Sequence, residues 1–292
     1  MGEGATRRAV VLRAAATLAA AGIDQPRLDA EVLLAEALGL PRLAMLVDLD
    51  APVPDDVRAR VEAWVARRTM AEPVAYIVGH REFWSLDFTV TPATLIPRPD
   101  SETLVQAAVA AWPRQTPLRV LDLGTGSGCL LLAVLHEFPR ATGLGVDRSA
   151  AALAVAAGNA RVLELEDRAT FVTGDWGSAI AGPFDCILAN PPYIATGEVL
   201  ARDVAAHEPA TALFAGPDGL DDYRRIIPDL PRLLAPAGRA FVEVGATQAA
   251  AVSALARSAG LTAVTHPDLA GHPRCVELSG PQNPLGMVAR SD

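Results

Sequence analysis

The segment Phe184-Asp185-Cys186-Ile187-Leu188-Ala189-Asn190-Pro191-Pro192-Tyr193 decides how the chain is read. Residues 184–189 form a short apolar run of the kind that makes a buried strand. That strand must stop at Asn190-Pro191-Pro192. Neither proline can donate to a sheet ladder, and each forces its predecessor into an extended conformation. The chain therefore leaves the sheet stiffly, with the Asn190 amide and the neighbouring carbonyls held beyond the strand's carboxyl end. In open α/β sheets that is where ligands bind. A Pro-Pro turn alone reads as a loop, and a second signal upstream turns it into a site.

That signal is Arg119-Val120-Leu121-Asp122-Leu123-Gly124-Thr125-Gly126-Ser127-Gly128, an apolar strand running into three alternating glycines. The apolar run from Cys129 reads as the start of a buried helix. Glycines there permit a tight turn and close approach of a ligand to the backbone. The third glycine comes one residue too early for the dinucleotide fingerprint, and no lysine follows to cradle phosphates. A second strand, Thr142–Val146, ends at Asp147, 23 residues after Gly124 (147 − 124). An acid at that distance is suited to ribose hydroxyls, and Asp147 is equally compatible with capping the helix that follows. A third strand, Thr170–Gly174, ends in Asp175-Trp176, which could read a base edge and cover its face.

In this order the four segments resemble a class I S-adenosylmethionine-dependent methyltransferase. Asn190-Pro191-Pro192-Tyr193 is similar to the motif of the subgroup that methylates a planar nitrogen, on adenine, cytosine or glutamine. Ile96-Pro97-Arg98-Pro99-Asp100-Ser101-Glu102, Glu208-Pro209, Phe241-Val242-Glu243-Val244-Gly245 and the loop Asp268–Arg274 resemble the PrmC/HemK family of protein-(glutamine-N5) methyltransferases, over about residues 10–280. The resemblance implies an α/β, Rossmann-like domain with a seven-stranded, mostly parallel sheet. It implies S-adenosyl-L-methionine as methyl donor and S-adenosyl-L-homocysteine as product. The expected substrates are class I peptide chain release factors, modified at the glutamine of their Gly-Gly-Gln motif. Gly124, Thr125, Gly126, Ser127, Gly128, Asp147, Asp175, Trp176 and Asn190 are expected to bind the cofactor. Asn190, Pro191, Pro192 and Tyr193 are expected to act on the acceptor, with residues 96–102 walling one side. No metal is implied.

An amide nitrogen is a poor nucleophile, because its lone pair is delocalised into the carbonyl. The Asn190 oxygen and the Pro191 carbonyl could accept its N–H bonds and orient it, and Tyr193 could pack against the planar amide. His207 and Glu208 read as supports of the loop. An adenine-N6 methyltransferase acting on DNA or RNA is the alternative the motif leaves open, and a fold that has lost activity is the noncatalytic one. The net charge of −9 and pI near 5.1 count against tight nucleic-acid binding, which depends on basic neutralisation of phosphates. They are compatible with a basic protein partner. Cys129, Cys186 and Cys275 sit in apolar runs without ligand spacing and read as buried thiols of a reducing, cytoplasmic compartment. No apolar run approaches membrane-spanning length, and Arg7, Arg8 and Arg13 interrupt any leader-like pattern. A monomer is expected.

The 292 residues accommodate two domains. Residues 1–72 read as a substrate-gripping helical bundle, with helices over 5–21, from Pro26 to Gly39, after Pro41, and from about Pro54 to Met70. Arg58, Arg60, Arg67 and Arg68 lie on one side of the last of these and read as a solvated face. Residues 73–95 read as a linker, in which Tyr76–Val90 suggests a hairpin whose aromatics pack on the neighbouring domain. Either Asp100 or Ser101 could cap a helix starting near Glu102. Residues 96–280 form the methyltransferase domain, with strands near 119–123, 142–147, 170–174, 184–189 and 239–244. An antiparallel pair at 261–264 and 275–278 closes the sheet edge. Residues 281–292 are polar, contain proline and are expected to be disordered.

Overall fold

The computed structural model describes residues 5–280. The expectation for 281–292 lies outside the described residues. In chain order the elements are α1 (Arg7–Ala20), α2 (Pro26–Leu38), α3 (Arg42–Val47), α4 (Asp55–Thr69), α5 (Val74–Val78), β1 (His80–Phe83), β2 (Leu86–Thr89), α6 (Glu102–Ala111), β3 (Arg119–Leu123), α7 (Cys129–Glu137), β4 (Thr142–Asp147), α8 (Ala150–Val162), β5 (Ala169–Thr173), β6 (Phe184–Ala189), α9 (Arg202–His207), α10 (Asp221–Ile226), α11 (Leu230–Leu233), β7 (Leu234–Glu243), α12 (Ala249–Ser258), β8 (Thr262–Pro267) and β9 (Pro273–Ser279).

One compact unit runs up to His80 and takes in Leu200–Glu208. Its helices stop where the sequence says they must. Gly39 ends α2 in the left-handed conformation at φ 65°, and Gly22, just past α1, adopts φ 76°. The core is aliphatic, built on Leu18, Leu33, Leu34, Met45 and Val61. Of the arginines of α4, Arg60 and Arg67 are exposed and Arg58 is half-buried, whereas Arg68 departs from the solvated-face reading. Arg58 pairs with Asp55 in its own first turn. Arg67 also reaches Glu72 at 2.8 Å. Arg68 is 9% exposed, reaches Asp29 of α2 at 2.8 Å and Asp203 of α9 at 3.5 Å, and donates to the Ala71 and Glu72 carbonyls. A buried guanidinium needs that many acceptors, so the bundle and α9 are built around it.

The second unit holds the remaining described residues. The hairpin is shorter than the sequence suggested, because Tyr76–Val78 belong to α5, which Gly79 ends at φ 89°. The turn between β1 and β2 is Trp84-Ser85, with both residues left-handed at φ 54° and 59°. Such a turn ordinarily asks for Asn-Gly. Here it is held by donors: Trp84 N–H reaches Glu102, Ser85 N–H reaches Glu82, and Trp84 Nε1 reaches Glu137. Phe83 and Phe88 meet edge to face at 6.2 Å and sink into the core beside α6 and α7, as the aromatic pattern suggested.

The seven strands follow the order β5-β4-β3-β6-β7-β9-β8. All pairs are parallel except those made by β9, which runs antiparallel to both neighbours. One face packs against α6 and α7, the other against α10–α12. The order reverses between β3 and β6, so the glycine turn after one and the prolines after the other flank the switch point.

Replacing Arg68 with alanine strands Asp29 in a half-closed site and should destabilise the first unit by about 3 kcal/mol, whereas Arg58→Ala should cost under about 1 kcal/mol. Denaturant unfolding of the two variants checks this, and equal losses would refute the distinction.

Candidate active site

A cavity of about 660 Å³ opens at the switch point. Gly124, Thr125, Gly126, Ser127, Asp147, Asp175, Trp176, Asn190 and Pro192 line it. Gly128, Pro191 and Tyr193 do not stand among its lining residues. The three loop glycines are all left-handed, at φ 76°, 55° and 81°, and they do different things. A Cβ on Gly124 would strike the Trp176 ring at 2.8 Å, so the indole lies against that backbone. A Cβ on Gly128 would press on Ala156 and Leu132 at 3.2 Å, so this glycine serves helix packing. At Gly126 a Cβ would meet only the Gly124 carbonyl at 4.0 Å.

Asp147 is held from both sides. Its Oδ2 accepts from Gly126 N–H at 2.9 Å and its Oδ1 from Ser149 N–H at 2.8 Å. The capping alternative is settled by Ser149, whose Oγ accepts from Ala152 N–H as the N-cap of α8. Each Asp147 oxygen keeps a lone pair for another donor. Asp175 is engaged by Arg225. Trp176 donates its Nε1–H to Asp222 at 3.1 Å, and Asp222 itself lines the cavity. Asp222 lies 46 residues beyond Trp176 at the start of α10, and no local pattern marks it.

Beneath the loop, Asp122 is 1% exposed and accepts a 2.6 Å hydrogen bond from Thr125, while its Oδ1 has no partner. Burial, with a smaller push from Asp147, raises its carboxyl to about 7.

On the other flank, Asn190 Nδ2 donates to Ser101 Oγ at 3.2 Å. Ser101 ends the one-turn helix Pro99–Ser101 and does not cap α6 with its side chain; nor does Asp100, which pairs with Arg274 at 3.0 Å. Glu243 is 1% exposed and leaves Oε2 without a partner. Burial raises the Glu243 carboxyl to about 7 against the lowering pull of nearby Ser101, Arg274 and Tyr193. Burial, and then Glu243, push the Tyr193 phenol up to about 12. The Tyr193 carbonyl accepts from Gln248 Nε2 at 2.8 Å. His207 reaches the Met70 carbonyl at 3.3 Å, a supporting contact within the helical unit. Cys186 and Cys275 are buried and, with Cys129, unpaired; among the described residues no His, Cys, Asp and Glu cluster could hold a metal. No described helix is long and apolar enough to cross a membrane.

An enclosed wall of apolar and polar groups, a carboxylate with spare lone pairs beside a bare glycine, and an indole face suit a nucleoside-bearing methyl donor in size and chemistry. The fold and this site define a class I methyltransferase domain. The family described as the PrmC N-terminal domain matches residues 9–79, and the methyltransferase small domain matches residues 101–208. The release factor glutamine methyltransferase of Rhodospirillum rubrum is 46% identical over 286 residues, covering 95% of this chain and 87% of that protein. Its counterpart from Caulobacter vibrioides is 43% identical, covering 92% and 94%. Among solved structures, the release factor-specific protein-(glutamine-N5) methyltransferase of Alicyclobacillus acidocaldarius is 30% identical over 66% of this chain and 100% of that one, with TM-score 0.41. The hMettl16 catalytic domain in complex with MAT2A 3'UTR hairpin 1 superposes with TM-score 0.56 at 14% identity over 81% of this chain and 84% of that one, a likeness of fold. The chain belongs to the release factor glutamine methyltransferase family.

Glu243 also makes a stability prediction. Its carboxyl titrates near 4.5 when unfolded and about 7 when folded. Between those values the folded state holds the proton and the unfolded state has lost it, so stability falls as pH rises and levels off above 7. Glu243→Gln should remove up to about 3 kcal/mol of the stability difference between about pH 5 and about pH 8. Denaturant unfolding at the two pH values measures it. An unchanged difference would mean that Glu243 is ionised throughout.

Proposed function

We propose that this protein transfers a methyl group from S-adenosylmethionine to the side-chain amide nitrogen of the glutamine in the Gly-Gly-Gln motif of class I release factors. The observation that carries the reading is the Asn190 amide at the cavity wall. Its N–H is committed to Ser101, which leaves its oxygen for a substrate donor. S-adenosylmethionine supplies, when bound, an electrophilic sulfonium methyl. Asp147 would hold its ribose, Gly124–Ser127 its amino-acid portion, and Trp176 with Asp222 its base.

The acceptor nitrogen would gain the methyl group as the methyl–sulfur bond breaks, leaving S-adenosylhomocysteine, and would lose one N–H proton to solvent water. Asn190 accepts one of its N–H bonds and turns the amide plane toward the methyl, with Pro192 in the wall beside it. Holding two reactants in line is worth ~7–11 kcal/mol of barrier in favourable cases. An acceptor facing the nitrogen also stabilises positive charge developing there. The two prolines keep this end of β6 stiff, so little reorganisation is needed.

The adenine reading is not favoured. The relatives that match the chain nearly end to end are release factor glutamine methyltransferases, and the net charge of −9 opposes a polyanion. The helical unit is proposed to grip the rest of the partner. The protein is proposed to act as a monomer without stable nucleic-acid binding.

Mass spectrometry of a release factor after reaction should find one added methyl, on that glutamine. Equal methylation of a factor carrying alanine there would overturn the assignment. Calorimetry should show Asp147→Ala weakening S-adenosylmethionine binding by ~1–3 kcal/mol, and wild-type affinity would remove Asp147 from the site. Asn190→Ala should lower activity by orders of magnitude with the melting temperature nearly unchanged; proportional losses of both would make the residue structural.

A further inference from the structure

We infer that Gln248 is a positioning residue for methyl transfer: its side-chain amide pins the far end of the Asn190-Pro191-Pro192-Tyr193 turn to the start of α12. The pin itself is a matter of geometry. Its consequence for catalysis rests on the proposed function.

Gln248 follows β7 by a short turn, with its own N–H on the Gly245 carbonyl at 2.9 Å. It occupies the N-cap position of α12, yet its side chain makes no capping bond. It turns instead to neighbouring segments. Nε2 donates to the Tyr193 carbonyl at 2.8 Å and to the Gly219 carbonyl at 3.2 Å. Oε1 accepts from Gly245 N–H at 3.1 Å and from the Tyr223 hydroxyl at 3.5 Å. A side-chain amide has two N–H bonds to give and two lone pairs to fill, and all four are engaged. Carbonyls on one side and donors on the other fix which end is nitrogen. Two glycines clear the space. A Cβ on Gly219 would stand 2.3 Å from the Tyr193 carbonyl oxygen and 2.7 Å from Gln248 Nε2. One on Gly245 would stand 2.9 Å from Gln248 Oε1.

The turn needs this second anchor. At its near end, Ala189 is paired in register with Leu123 and Val242. Asn190 and Pro192, both in the cavity wall, come next. Past Tyr193 the chain leaves the sheet. Ile194 N–H bonds the Leu213 carbonyl at 3.0 Å, and Ala215 N–H bonds the Ile194 carbonyl at 2.9 Å. These partners belong to a connecting segment, whose Phe214 also lines the cavity. Gln248 ties the two segments back to a helix whose Val252 and Ala256 are buried in the core. With both ends held and φ fixed at two prolines between them, Asn190 and Pro192 stay where an acceptor amide meets them. Freeing the Tyr193 end lets the turn pivot about β6. About 1 Å of misplacement can cost about a hundredfold in rate.

The cofactor side has a separate support. Tyr223, next to Asp222, donates to the Glu243 carbonyl at 2.9 Å, and Ile226 anchors α10 in the core. Loss of the Gln248 amide therefore falls on the acceptor and spares the cofactor. The role belongs to the donors of the side chain and not to its bulk. Methionine has the length and flexibility of glutamine but no N–H to give. Glutamate keeps an acceptor for Gly245 and turns a carboxylate oxygen on two carbonyls.

Amide hydrogen exchange tests the pin in the free protein. Ile194 and Ala215 should exchange at least about tenfold faster in Gln248→Met than in the wild type, with Leu188 in β6 unchanged. Kinetics test the consequence. At saturating S-adenosylmethionine and release factor, Gln248→Met and Gln248→Glu should each lose at least about tenfold in kcat, with S-adenosylmethionine affinity within about twofold. Val252→Ala, in the buried face of the same helix, is the control. It should lower the melting temperature at least as far as Gln248→Met and keep kcat within about twofold. Wild-type exchange at both amides, wild-type kcat in Gln248→Met, or equal kcat losses in Gln248→Met and Val252→Ala overturns the inference. Should the Gln248 variants fail to fold, Gly245→Ala decides, because its Cβ pushes on the end of the Gln248 side chain. It should speed exchange at the same two amides and lower kcat, and wild-type values there overturn the inference too. Faster exchange in Gln248→Met, when the wild-type protein transfers no methyl to the release factor, refutes the proposed function and leaves the pin intact.

Discussion

The reactive end of the molecule depends on how β6 stops. Its ladder is cut at Asn190-Pro191-Pro192, so the strand cannot drift on into the space it faces. Beside it β3 ends in three left-handed glycines that turn back onto β4 through hydrogen bonds to the Val146 carbonyl. The order of strands reverses between these two endings. A cavity is forced there, because the connections leave toward opposite layers of helices. One wall belongs to the glycine turn, the other to Asn190 and Pro192. The rest of the second unit, including the edge made by β9, keeps those two strand ends in register.

Stability is given up to hold that end. Asp122 and Glu243 are buried acids, each with one oxygen lacking a partner, at the carboxyl ends of β3 and β7. Burial opposes their ionisation, and an unsatisfied oxygen is a cost that a merely structural core would avoid. The helical unit treats its charge differently. Arg68 is surrounded by two carboxylates and two carbonyls, and Glu31 by Arg27 and Arg42. There the charges are paired and hold helices together; under the cavity each acid keeps an oxygen without a partner.

Much of this was legible in the sequence, for definable reasons. Proline and glycine punctuation marked the ends of β6, β3, α1 and α2, because those residues restrict or release φ whatever surrounds them. The apolar runs gave the parallel strands, and the short interval between β8 and β9 required antiparallel pairing. What escaped depends on residues far apart in the chain. Trp84-Ser85 makes a left-handed turn only because Glu102 and Glu137 supply acceptors. Ser101 seemed a helix cap, and its hydroxyl instead accepts from Asn190. Asp222 reaches Trp176 from another helix. Arg68 looked solvated because its partners Asp29 and Asp203 are remote in sequence.

The central claim is that Asn190 offers an oxygen, fixed by its neighbours, to the nitrogen that receives the methyl. A crystal structure of the protein with S-adenosylhomocysteine and a release factor tests it most directly. The claim requires the glutamine side-chain nitrogen to lie within hydrogen-bond distance of Asn190 Oδ1, with Asn190 Nδ2 still on Ser101. A glutamine held elsewhere in the cavity, or an Asn190 amide turned with its nitrogen toward the substrate, would contradict it.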